Sequence, residues 1–117
     1  MRIYDSSNIR NVGILGHSGS GKSNMVEGLE FTAGLTNRIA ANENDTKITN
    51  SLSLHAIEYQ AAKFNFVDIP GYGDFFGEVE SGLAAVDGAI IIVDGTTDLT
   101  VGTETALELT DSRNIPR

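Results

Sequence analysis

Apolar and polar positions along the chain separate into blocks whose periods predict an alternation of strands and helices. Residues 1–9 form a polar leader. The run Arg10–Leu15 reads as a buried strand, and Lys22 to about Gly34 as a helix that Gly34 ends. From Leu35 to Lys47 the chain is polar, rich in Asn and acidic residues and without period, which predicts a loop. Ile48–Tyr59 and Lys63–Asp68 read as two strands joined by a turn at Gln60-Ala61-Ala62, the second placing Phe64, Phe66 and Asp68 on one side. A Pro/Gly loop, Ile69–Gly73, follows. Asp74–Ala85 then shows helical spacing at Phe75, Val79, Leu83 and Val86. Gly88–Val93 is an unbroken apolar run, as expected of a parallel strand buried on both faces. Thr103–Ser112 reads as a last helix with Leu107 in its apolar stripe.

This order, β-loop-α-loop-β-β-loop-α-β-α, predicts an α/β fold with a doubly wound, mostly parallel sheet. One antiparallel pair, the two strands before Asp68, interrupts the parallel pattern. The strand Ala89–Val93 is expected beside the first strand. Its far side has no strand of this chain to pair with, so the sheet reads as incomplete on its C-terminal side. An apolar edge of that kind predicts pairing between two copies.

Composition narrows the classes. The 117 residues suffice for one domain, and a formal net charge of −8 with only eight scattered Lys and Arg argues against a general nucleic-acid or membrane-surface binder. No direct nucleic-acid site is evident. Cysteine is absent, which excludes disulfides and thiol chemistry. No stretch has the apolar length of a signal peptide or a bilayer span, so the sequence predicts a cytoplasmic protein.

The chemistry is concentrated where the first strand meets the first helix. Gly16-His17-Ser18-Gly19-Ser20-Gly21-Lys22-Ser23 fits the phosphate-loop pattern G-x-x-x-x-G-K-[ST] in the required strand–loop–helix context. Glycines let successive backbone N–H groups face a polyphosphate, and the helix N-terminus adds a favourable dipole. Lys22 can reach the β- and γ-phosphates, and the Ser23 hydroxyl can ligate Mg²⁺. Asp68 ends an apolar strand and begins Asp68-Ile69-Pro70-Gly71. A carboxylate at that strand tip can hold a Mg²⁺-associated water, and the glycine after it leaves an N–H free for a γ-phosphate. Capping of the Pro-Gly turn is the competing reading of Asp68.

The segment Arg10–His17, Gly21-Lys22-Ser23 and Asp68-Ile69-Pro70-Gly71-Tyr72-Gly73-Asp74-Phe75 resembles the GTPase domain of elongation factor G. Glu78-Val79-Glu80, Asp87-Gly88-Ala89 and Asn114-Ile115-Pro116-Arg117 share the resemblance, which spans nearly the whole chain in order. It implies a phosphate-loop GTPase fold and a ribosome-dependent cycle of GTP binding and hydrolysis with Mg²⁺. Gly16 to Ser23 would hold the phosphates of GTP or GDP; Ser23, Asp68 and, in the triphosphate state, Thr49 would serve the metal. Gly71 would sense the γ-phosphate and Tyr72 would position the attacking water.

Four departures from the family pattern bear on this. Tyr72 stands where histidine is usual, and a phenol is a poor base near neutral pH. The loop Leu35–Lys47 is shorter than the family's first switch. Gly19 replaces a common acidic residue. The guanine-recognition pattern N-K-x-D occurs nowhere, so residues 1–117 read as a partial GTP-binding domain that ends before it. Two alternatives stand beside the leading one: a nucleotide- or phosphate-binding module with little turnover, and a ribosome-protection-type GTPase. An ATPase of another phosphate-loop family is disfavoured by Asp68–Phe75. For other residues the sequence suggests structural roles: His17 within the loop, His55 on a strand, and Glu78, Glu80 and Asp87 on a solvated face; Asp94 either approaches the nucleotide edge of the sheet or caps the Gly95-Thr96-Thr97 turn.

Overall fold

A computed structural model describes residues 2–37, 51–71 and 76–117. After a short 3-10 turn at Ser6–Asn8 come β1 (Ile9–Gly16), α1 (Lys22–Thr32), β2 (Ser53–Tyr59), β3 (Ala62–Asp68), α2 (Phe76–Ala84), β4 (Gly88–Ile92) and α3 (Val101–Ser112). The strands form one open sheet in the order β2-β3-β1-β4. β1 runs parallel to β3 and to β4, with Ile14 opposite both Asp68 and Ile90, while β2 and β3 are antiparallel. The predicted doubly wound order and the antiparallel pair are therefore present.

Alternation along the strands sends neighbouring side chains to opposite faces. On one face Leu15 and Val67 join Ile69, Val79, Leu83, Ala89 and Ala106 beneath α2 and α3. On the other, Ile14 and Phe66 join Val26 and Ile57 beneath α1. Helices on both faces bury the central strands and fix β1, whose C-terminal end carries the glycine-rich loop.

Several details differ from the sequence expectation. β4 is an edge strand, so Ile90 is 40% exposed where burial on both faces was expected. That edge is partly occupied, because the Ala89 N–H donates to Pro116 O at 2.8 Å and Ile115 packs on the core. α3 starts at Val101, two residues early, and its buried stripe is Thr103, Ala106 and Thr110 instead of Leu107. Thr110 is fully buried because its hydroxyl donates to Ala106 O at 2.8 Å within the helix, leaving its methyl to the core. Glu78 and Asp87 are not merely solvated. Glu78 accepts the Leu52 N–H at 3.2 Å, and Asp87 exchanges two hydrogen bonds with the Asn11 backbone, at 3.1 and 2.8 Å. Glu80 pairs with Arg113 at the end of α3.

The β2–β3 connection is tighter than expected. Tyr59 pairs with Ala62, which leaves a two-residue loop whose residues, Gln60 and Ala61, take φ of 46° and 64°. Two positive φ values are the requirement of a type I′ turn, which matches strand twist but suits Asn-Gly best. Replacing Gln60-Ala61 by Asn-Gly should therefore stabilise the protein by about 1 kcal/mol, since a non-glycine residue in this region costs about 1–2 kcal/mol. Chemical denaturation would show the midpoint rise at constant m-value.

Candidate nucleotide-binding site

β1 ends at Gly16, and the chain then turns through Ser20 before α1 begins at Lys22. The turn is forced by sterics at Gly16, where φ is +142° and a Cβ would lie 2.4 Å from Ile92 O and 2.9 Å from Ser20 Oγ. Gly19 and Gly21 also adopt positive φ, +79° and +93°, with open space around them. The loop closes on itself through Ser20 N–H donating to His17 O at 3.2 Å. α1 follows without a side-chain cap, so its first N–H groups stay available to an anion at the loop.

Lys22 is buried, being only 6% exposed. Its ammonium donates to Gly16 O at 3.2 Å and to His17 O at 3.0 Å. Desolvation lowers the lysine pKa below its ordinary value of 10.5, and the charge of Asp68 partly opposes that shift. A buried ammonium held by two carbonyls inside a glycine loop suits a polyphosphate counter-charge.

Ser23 and Asp68 arrive from α1 and β3. The Ser23 hydroxyl donates to Asp68 Oδ2 at 2.7 Å. Asp68 is 2% exposed, and its Oδ1 is buried with no hydrogen-bond partner among the described residues. The pair offers hard oxygen donors and an unsatisfied carboxylate oxygen next to the phosphate loop. That fits Mg²⁺, which takes one or two protein oxygens and completes its shell with waters and phosphate oxygens. Among the described residues there is no cluster of three or more His, Asp or Glu that could hold a metal alone.

Gly71 reaches the same place from the far side. A Cβ on it would lie 2.6 Å from Gly16 O, 2.6 Å from Ser18 N and 2.7 Å from Lys22 Nζ, so only glycine admits this approach. The structure thus brings together the phosphate loop Gly16–Ser23, Asp68 and Gly71. Tyr72 and Thr49 lie outside the described residues.

Three further residues are clarified. His17 is half-buried, with Nδ1 enclosed and unpartnered among the described residues, and packs against α3. His55 shares hydrogen bonds with Glu30 at 2.8 Å and Ser53 at 3.1 Å, away from the loop. Of the two readings of Asp94 the structure shows the cap: it accepts from Thr96 Oγ1 at 2.6 Å and Thr96 N at 2.8 Å, and those bonds lower its carboxyl pKa, the hydroxyl most.

The chain matches the family model of the elongation factor Tu GTP binding domain over residues 7–117. It is similar to a protein of Drosophila grimshawi named ribosome-releasing factor 2, mitochondrial, with 35% identity over 128 residues, 99% of this chain and 17% of the relative. A protein of the same name from Culex quinquefasciatus is 34% identical over 122 residues, covering 94% of this chain and 16% of the relative. This chain therefore spans about a sixth of the length of these curated relatives, 17% and 16%. Among solved structures, a protein of Thermus thermophilus superposes with a TM-score of 0.85 at 28% identity, over 96% of this chain and 19% of that one. Translation elongation factor SelB of Methanococcus maripaludis, solved with the GTP analogue GppNHp, gives a TM-score of 0.74 at 25% identity, over 99% and 21%. No described helix is long and apolar enough to cross a membrane.

Proposed function

Because this chain belongs to the elongation factor Tu GTP binding domain family, we propose that it forms the first part of the GTP-binding domain of an elongation-factor-G-like translational GTPase. In this reading it binds GTP and GDP and hydrolyses GTP in a ribosome-dependent cycle. The observation that carries the proposal is the convergence of the buried Lys22, the Ser23–Asp68 pair at 2.7 Å and Gly71 on one glycine-rich loop.

The backbone N–H groups of Ser18 to Ser23 cradle the α- and β-phosphates, and Lys22 turns from its two carbonyls to the β- and γ-phosphates. Ser23 and Asp68 would hold Mg²⁺, joined by Thr49 in the triphosphate state by family resemblance, and the bound ion would supply charge neutralisation for the phosphate oxygens. The Gly71 N–H marks the γ-phosphate. Tyr72 orients the attacking water by hydrogen bonding, a phenol being a poor general base near neutral pH. The guanine-recognition pattern N-K-x-D is not among residues 1–117.

The ribosome is the proposed partner, in keeping with the names of the relatives. The proposed compartment is the cytoplasm; the insect relatives are named as mitochondrial factors, and imaging of a tagged protein separates the two. A pairing of two copies along β4 would cover Ile90 and Val93, 40% and 52% exposed. Sedimentation over a concentration series tests it, and a monomer throughout would end that reading.

The functional test compares GTP with ATP in the full-length protein, with and without ribosomes. Expected are selective GTP binding, slow hydrolysis alone and strong stimulation by ribosomes. Binding without stimulated turnover would instead establish the nucleotide-binding module.

A further inference from the structure

α3 meets the phosphate loop with no side chain of its own at the point of contact. Gly102, the second residue of that helix, lies so near His17 that a Cβ would stand 2.6 Å from the ring Nδ1, 2.9 Å from the His17 Cα and 3.1 Å from its Cβ. The middle contact is to backbone, so no rotation of the histidine ring relieves it. The neighbours of Gly102 secure the platform: Thr103 is 2% exposed, and its hydroxyl shares a hydrogen bond with that of Thr100 at 3.1 Å.

His17 is tied into the loop at several points. Its carbonyl accepts both the Ser20 N–H that closes the loop and the Lys22 ammonium, at 3.2 and 3.0 Å. Its ring nitrogen Nδ1 is enclosed without a partner among the described residues. A displacement of the His17 backbone therefore changes the anchor of Lys22 and the path of the N–H groups that follow. Gly28 of α1 and Gly77 of α2 stand in open space, where a Cβ would meet nothing within 4 Å, and at Gly82 of α2 it would meet only the side chains of Ile69 and Leu52, at 2.9 Å.

We propose that Gly102 is a positioning residue for nucleotide binding: by letting the start of α3 rest directly on His17, it sets the shape of the phosphate loop, and any side chain there loosens the hold on the phosphates. This rests on the nucleotide-binding reading above. Clearing the backbone contact from 2.9 Å to an ordinary separation needs a shift of roughly half an ångström, and loss of even one charge-assisted hydrogen bond from the loop to phosphate corresponds to about tenfold in affinity.

The test measures release of a fluorescent GDP analogue from the full-length protein. In Gly102→Ala, release should quicken about tenfold, while Gly28→Ala releases at the wild-type rate. The amide resonances of Ser18 to Ser23 should shift in the nucleotide-free Gly102→Ala protein. Gly102→Ala combined with His17→Ala removes the ring contact and should restore part of the slow release. A merely structural helix contact would not quicken release from a protein that stays folded. If Gly102→Ala lowers thermal stability but releases GDP at the wild-type rate, the inference is wrong. If the wild-type protein itself fails to bind GDP, the nucleotide reading fails first.

Discussion

Lys22→Ala should lower the affinity for GDP and GTP by at least ~100-fold while leaving the nucleotide-free protein no less stable. Charge-assisted hydrogen bonds to phosphate contribute about 1.5–3 kcal/mol each, and in the proposed reading Lys22 makes two, to the β- and γ-phosphates. In the nucleotide-free protein the same ammonium is nearly fully buried and faces the carbonyls of Gly16 and His17, with Asp68 nearby. Desolvation is the larger influence on it, and desolvation disfavours the charged form. Binding and stability should thus respond in opposite directions, as expected where a residue is kept for function.

The pH dependence follows with a definite sign. Because folding lowers the Lys22 pKa, the unfolded chain binds more protons between that lowered value and the ordinary 10.5. Stability of the nucleotide-free protein should therefore rise with pH through that alkaline window, and Lys22→Ala should flatten the rise. Isothermal titration with GDP and denaturation across alkaline pH make the two measurements. An Ala variant that still binds GDP tightly would remove Lys22 from the site.

How much of this was legible in the sequence depends on whether the signal is local. The phosphate loop could be read because spacing alone specifies it: Gly16, Gly21, Lys22 and Ser23 must occur in that order between a strand and a helix. Asp68 could be read because an apolar strand delivers it to the same sheet edge, and the fold pairs it with Ile14 near the end of β1. The buried stripe of α3 could not. Hydropathy favours Leu107, whereas Thr103 and Thr110 are buried because their hydroxyls are satisfied by Thr100 and by the helix backbone. The tight turn at Gln60-Ala61 carries no glycine to announce it; strand register imposes its positive φ values. Gly102 gives no sequence signal, since its importance lies in a contact with His17, distant along the chain. Glu78 likewise reads as one more surface acid until Leu52, just ahead of β2, presents its N–H.

Gly16→Ala should be the most destabilising of the loop-glycine substitutions, by about 3 kcal/mol or more. Two costs coincide there. The backbone φ of +142° is one that residues with a Cβ rarely adopt, and the added carbon would stand 2.4 Å from the carbonyl oxygen of Ile92. That oxygen belongs to the residue paired with Gly16 at the end of the β1–β4 ladder, so relief requires prying the two strands apart where β1 delivers the loop. Gly19→Ala and Gly21→Ala incur only the conformational cost of a positive φ, about 1–2 kcal/mol each, because nothing lies within 4 Å of the new methyl. Thermal or denaturant unfolding of the three variants without nucleotide should therefore give one large loss and two small, similar ones. If glycine served this loop only by being flexible, the three losses would be alike. A graded result, with Gly16 far ahead, would place the decisive constraint on the phosphate loop in the close contact between its first glycine and the neighbouring strand.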